Sequence, residues 1–254
     1  MVAANVILVC GHECPDPGYL RSLDATWTVV AGGRALTEAI ETVRAVSSDP
    51  VCVVPMTLGR DPGLIADAAR ALSWSRREPN STPSAPLALS PPLGATDHLV
   101  GWLRGRAVAA STDALLVTAP TGGPFEDAEL FRIARLVRQF GPAGLVEVAL
   151  LGGDPDLDEG IERCRRLGAD RITVLPAWLG ACPPTVQDDV VDGGPLLGDA
   201  ALRGVVAARV SETLHRLSHG HDGIDDGLDA EHGHGFAHSH EPGEGHGHGH
   251  GHRH

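Results

Sequence analysis

The sequence predicts an α/β protein made of two tandem, related half-domains, each a parallel sheet in a three-layer (αβα) arrangement, followed by a histidine-rich tail. Three observations carry this reading: an internal repeat, an alternation of apolar strand-like runs with amphipathic stretches, and the loss of all apolar periodicity near residue 218.

The repeat comes first. An offset of 121 residues aligns EAIETVRAVSSDPVCVVPMTLG, 38–59, with EGIERCRRLGADRITVLPAWLG, 159–180, without a gap. Glu38, Ile40, Arg44, Val53, Pro55 and Gly59 then meet Glu159, Ile161, Arg165, Val174, Pro176 and Gly180. In each copy the first part has apolar residues at helical spacing and the second is a β-branched run, so the unit reads helix, turn, strand. The flanks extend it: VILVCGH at 6–12 resembles ALLVTAP at 114–120, and PPLGATDHLVGWL at 91–103 resembles GPLLGDAALRGVV at 194–206. Strand runs that are apolar throughout are covered on both faces, which implies parallel sheets between helical layers. The predicted units are 1–110, 111–217 and a tail, 218–254, with an exposed loop at SRREPNSTPSAP, 75–86. The tail has no apolar period and is rich in His, Gly and acids, so disorder without metal is expected there.

Composition narrows the function. The net charge is −13, and residues 219–254 hold seven acids against one arginine, leaving about −7 for the body. Nucleic acid is excluded as an expected partner. No apolar run approaches the ~20 residues of a membrane span, and the opening MVAANVILVCGHE lacks a basic n-region, so no signal peptide and a cytoplasmic location are expected. Five cysteines, an odd number, argue against a disulfide framework. The chain has no lysine, which removes Schiff-base chemistry.

Ligands of open parallel sheets bind beyond the carboxyl ends of the strands. There stands Cys10-Gly11-His12-Glu13-Cys14. A neutral imidazole ligates cobalt, nickel, iron or zinc, and an adjacent carboxylate adds an oxygen ligand or takes protons, so His12 and Glu13 are candidate metal ligands. The alternative is a histidine that merely bonds a loop. The spacing of Cys10 and Cys14 does not match structural zinc sites, and Cys10 reads as core. In the tail, His232, His234, His238, His240, His246, His248, His250 and His252 offer loose, multi-site binding of borderline divalent metals. Metal storage or delivery is one reading of the tail and a passive solubilising segment the other.

The order of strand-GH, helix and strand ending VVPMTLG, then PPLG and helix, with a second copy containing EGIERCRRLGADRITVLPAWLGAC, resembles the long, two-half CbiX-type sirohydrochlorin cobaltochelatases, class II chelatases, over residues 5–216. The resemblance implies insertion of Co(II) into sirohydrochlorin or a related tetrapyrrole in corrinoid synthesis. It implies a divalent metal as substrate, no organic cofactor, a tetrapyrrole in a cleft between the halves, and neighbouring corrinoid-pathway enzymes as partners. It places the family's metal-binding histidine on His12 and makes His12 and Glu13 the ligand and base. The family's second histidine has no counterpart in Leu58-Gly59-Arg60-Asp61-Pro62. Glu13, Asp61, solvent or His98 remain as replacements. Arg60 is the expected partner for substrate carboxylates, since guanidinium recognises them bidentately. Two other functions stay open: a non-catalytic metal-delivery protein on this fold, and an iron or nickel chelatase.

Overall fold

The structure, a computed structural model, describes residues 4–14, 16–77, 85–110, 112–141, 143–184 and 187–230. Its first half runs β1 (Asn5–Cys10), α1 (Pro17–Leu23), β2 (Thr28–Ala31), α2 (Arg34–Val46), β3 (Val51–Met56), α3 (Pro62–Arg77), β4 (Leu87–Leu89) and α4 (Thr96–Ala110). The second runs β5 (Ala114–Pro120), α5 (Pro124–Phe140), β6 (Leu145–Leu151), α6 (Leu157–Arg166), β7 (Ile172–Pro176), β8 (Val190–Asp192) and α7 (Asp199–Ser218), and a short α8 (Ile224–Leu228) follows. The predicted fold class is borne out: there are two separate four-stranded parallel sheets, ordered β2-β1-β3-β4 and β6-β5-β7-β8.

Local chemistry explains the elements. Every residue of β3 is buried, as a strand sandwiched between two helical layers requires. On α2, Leu36 and Ile40 share the buried face, while Arg34 and Glu38 pair on the exposed one. Asp16 caps α1, its Oδ1 accepting from the amides of Gly18 (2.8 Å) and Tyr19 (3.1 Å), with Pro17 at the first helical position.

Strand register refines the repeat. Val9 pairs with Pro55 in the first sheet and Thr118 with Pro176 in the second. Because Pro55 and Pro176 are repeat equivalents, Val9 matches Thr118 and His12 matches Thr121, one residue beyond the Pro120 that the flank alignment placed there. A uniformly apolar run carries no register of its own; hydrogen bonding supplies it. Among the described residues there is also no helix between β7 and β8, where the first half has α3.

The two halves exchange their last helices. α4 packs against β7 and α5, and α7 packs against β3 and β4. One hydrophobic core therefore joins Leu8, Val54 and Leu99 to Leu115, Val117 and Val206. On the outer faces lie two smaller clusters, one under α2 and α3, the other under α6.

The start of the tail needs correction. Residues 218–230 do not stand apart from the fold: α7 reaches Ser218, and α8 packs on α3 with Ile224 fully buried among Leu64, Leu72 and Leu89. Two apolar residues, Ile224 and Leu228, one turn apart suffice for this, too few to register as a period. The tail histidines His232, His234, His238, His240, His246, His248, His250 and His252 lie outside the described residues, as do residues 78–84 of the expected loop.

Candidate metal centre

β1 delivers His12 just past its carboxyl end, and the β3–α3 turn brings Asp61 against it, with His12 Nδ1 3.1 Å from Asp61 Oδ2. Gly11 makes the approach possible, because a Cβ there would collide with the Asp61 carboxylate and sit 3.2 Å from Leu64 Cδ2. Asp61 is held twice: its Oδ1 caps α3 by accepting from the Leu64 amide (2.9 Å), and its own amide donates to Thr57 Oγ1 (3.2 Å). The third member comes from the other half. Glu126, in the first turn of α5, caps its own helix through the Gly123 amide and faces His12 and Asp61. One ligand atom from each of His12, Asp61 and Glu126 lies within 4.8 Å of the others.

The electrostatics suit a dication. Burial alone would lower the His12 pKa, but the Asp61 hydrogen bond and the carboxylates of Asp61, Glu13 and Glu126 outweigh it and raise the pKa above the ordinary imidazole value. Burial pushes Asp61 the other way, and its bonds to His12 and the Leu64 amide overcome that, lowering its pKa. Among the described residues, His12 Nε2 is buried with no partner. A nitrogen and two carboxylates, with no fourth ligand among the described residues, form an open, exchangeable set.

Three expected site residues are placed differently. Glu13 is not at the sheet edge; it is fully buried, its Oε2 accepting from Thr57 Oγ1 and from the amides of Leu58 (3.0 Å) and Arg60 (3.3 Å). It therefore shapes the turn that carries Asp61 and does not join the ligand cluster. Its carbonyl accepts from the Leu179 amide (2.8 Å), tying this loop to the second half. Arg60 is also inside, with a fully buried side chain that donates to the carbonyls of Glu126 (3.1 Å) and Pro120 (3.3 Å) and approaches Asp127 (3.4 Å). It clasps α5 and is shut off from a dissolved substrate. His98 is exposed at the start of α4; its Nδ1 accepts from the Ala95 amide (3.2 Å), its ring lies 5.8 Å from Trp102, and it does not join the cluster. Cys10 and Cys14 are buried free thiols with Sγ atoms 3.2 Å apart. Glu126 went unrecognised in the sequence, where Gly123-Pro124-Phe125-Glu126 reads only as a helix start.

No protein-family model matches the chain. The sirohydrochlorin cobaltochelatase of Priestia megaterium is 36% identical over 70 residues, which is 26% of this chain and 23% of that protein, so the match spans about a quarter of the relative. Among solved structures, the sirohydrochlorin chelatase SirB from Bacillus subtilis subspecies spizizenii, in complex with cobalt, gives a TM-score of 0.53 at 14% identity over 84% of this chain and 95% of SirB. This chain has the chelatase fold. SirB from Bacillus subtilis with Fe3+ agrees, with a TM-score of 0.50 at 15% identity and the same coverage of both chains. The resemblance read from the repeat is thus borne out at the level of the fold. No helix among the described residues is long and apolar enough to cross a membrane.

Proposed function

We propose that the chain is a metal chelatase that inserts a divalent metal, cobalt in the first instance, into sirohydrochlorin or a related tetrapyrrole. The His12–Asp61–Glu126 cluster carries this reading. Insertion exchanges one dication for two pyrrole N–H protons, so a site must release metal and accept protons together. Two carboxylates and an imidazole do both: while the metal is held they are its ligands, and once it leaves they are vacant bases beside the ring. His12, whose Nδ1 lies 3.1 Å from Asp61 Oδ2, is one of these acceptors.

Two cavities at repeat-equivalent turns, after β3 and after β7, offer seats for a macrocycle. One, of about 630 Å³, is lined by Gly59, Ile65, Val100, Arg104 and Arg132; the other, about 530 Å³, by Gly180, Tyr19, Trp178 and Leu202. The first suits a carboxylate better, because Arg104 stands among its apolar walls, whereas its other arginine, Arg132, is already forked onto Glu129 (2.6 Å) and Asp97 also lines it; Arg104 would take over the role expected of Arg60. The tail, in the same reading, stores metal for the centre.

The test is an anaerobic absorption assay of sirohydrochlorin with Co(II), Ni(II) and Fe(II). The wild-type chain should accelerate insertion, and His12→Ala, Asp61→Ala and Glu126→Ala should each abolish most of the gain while leaving the circular dichroism unchanged. Wild-type rates in Asp61→Ala and Glu126→Ala would place the centre elsewhere. A chain that binds Co(II) but never accelerates insertion would be a delivery protein.

A further inference from the structure

The loop that carries His12 also carries a thiol pair that the metal centre leaves unused. Cys10 ends β1, in register with Ala31 of β2 and Met56 of β3, and Cys14 closes the turn that follows, its amide donating to the Gly11 carbonyl (3.1 Å). Their Sγ atoms stand 3.2 Å apart. A disulfide has its sulfurs ~2.05 Å apart, so the remaining gap is about one ångström, within reach of small side-chain rotations. Both ends of such a bond are already held. The sheet fixes Cys10, and beside Cys14 the Glu13 carbonyl accepts from the Leu179 amide (2.8 Å) while the Glu13 carboxylate accepts from the amides of Leu58 (3.0 Å) and Arg60 (3.3 Å). The other three cysteines are placed differently: Cys52 and Cys164 are wholly enclosed, and Cys182 Sγ lies 3.4 Å from Thr118 Oγ1.

We propose that Cys10 and Cys14 are a redox modification site: a peroxide converts them to a disulfide that closes a ring through His12 and holds that loop, and with it the metal, in place. The metal half of this rests on the function proposed above. The oxidant must be small, because Cys10 is only 7% exposed and Cys14 2%, and Cys10 is therefore the first to react. Its sulfur attacks hydrogen peroxide, an S–O bond forms as the O–O bond breaks, and the thiol proton leaves with the released hydroxide as water. The Cys14 sulfur then attacks the sulfenic sulfur, the S–S bond forms as the S–O bond breaks, and a second water carries off the Cys14 proton. Two electrons pass from the sulfurs to the peroxide, and a dithiol reductant reverses the change. The consequence for the site is mechanical. Giving up metal requires His12 to draw back from Asp61, 3.1 Å away, and Gly11 packs directly on that carboxylate, so withdrawal moves the whole loop. A bond from strand to turn, anchored on both sides of His12, opposes that movement.

Two measurements on the full chain test this. In the first, the folded protein is treated with hydrogen peroxide, cleared of it by catalase, denatured with N-ethylmaleimide and digested with trypsin. The chain has no lysine and its first arginine is Arg21, so Cys10 and Cys14 fall in one peptide, 1–21. That peptide should be unlabelled and two hydrogens lighter, and should take two labels after reduction. In Cys14→Ser the lighter peptide should disappear. Two labels without reduction, or Cys10 oxidised to the sulfinic acid with Cys14 still labelled, overturns the proposal. This arm needs neither metal nor chelatase activity, so its failure is distinct from failure of the functional reading. In the second, oxidised and reduced protein, freed of peroxide and reductant, are loaded anaerobically with Co(II), and release to excess EDTA is followed by stopped flow. Release should be slower from the oxidised form and return to the reduced rate after reduction, while peroxide treatment of Cys14→Ser should not slow it. Equal release rates from a chain whose disulfide has formed would overturn the locking of the loop. A reduced chain that binds no Co(II) would overturn the metal-centre reading and the holding of metal with it.

Discussion

Glu13 and Arg60 show how a residue next to a site can serve it without touching substrate. Burial raises the Glu13 pKa, opposed in part by the Thr57 hydrogen bond and the Arg60 charge. The sign of its contribution follows: a carboxyl whose folded pKa lies above the unfolded ~4.3 stabilises fully below that value, and its contribution is lost as pH rises through the folded pKa. Glu13→Gln keeps an acceptor for the turn and removes the charge. Its stability relative to wild type should therefore improve as pH rises above the unfolded ~4.3 in urea titrations; a difference that ignores pH would contradict a buried, proton-favouring carboxyl. Arg60→Met should cost about 2–4 kcal/mol, because it leaves the Glu126 and Pro120 carbonyls without their donor and Asp127 without its cation. If the proposed function holds, it should also lower insertion by loosening α5, whereas Arg104→Ala should raise KM for the tetrapyrrole and leave stability unchanged.

α8 is the element with the largest effect for its length. Only five residues long, it buries Ile224 completely. Ile224→Ala should lower stability by about 2–4 kcal/mol, the usual cost of emptying a packed aliphatic site. Truncation after Leu217 should destabilise the protein similarly, and truncation after Ala230 should leave the melting temperature where it is. Equal melting temperatures for the two truncations, read by calorimetry without metal, would show that α8 adds nothing to the fold. The exchanged helices α4 and α7 make the same point at larger scale, since each covers strands that its own half leaves open.

Across the whole molecule, the shared core predicts one cooperative unit. Hydrogen exchange of the β1 and β5 amides should report the same opening free energy, since Leu8 and Leu115 belong to one packed cluster. Residues 1–110 expressed alone should not reach a native state, because the face of β3 and β4 that α7 covers would be exposed. A folded, cooperative 1–110 fragment would show that the helix exchange is dispensable. The proposed metal centre depends on the same unity, as Glu126 belongs to α5 and reaches His12 only when the halves are joined.

The sequence by itself determined the two-sheet α/β architecture, the repeat equivalence of 38–59 and 159–180, and the placing of His12 at a strand end. Those features are local: periodicity, propensity and a gapless self-match need no knowledge of long-range packing. Only the tertiary structure decided which groups surround His12. Asp61 was one of several open replacements, Glu13 turned inward, where Thr57 Oγ1 and the amides of Leu58 and Arg60 donate to its carboxylate, and Glu126 arrived from a segment more than a hundred residues away. Such a choice depends on how two halves dock and exchange helices, and docking is set by the summed fit of apolar surfaces, which no single motif records. For the same reason α8 escaped notice: two apolar residues in an acidic, histidine-rich stretch fold because α3 and β4 offer them a cavity of the right shape.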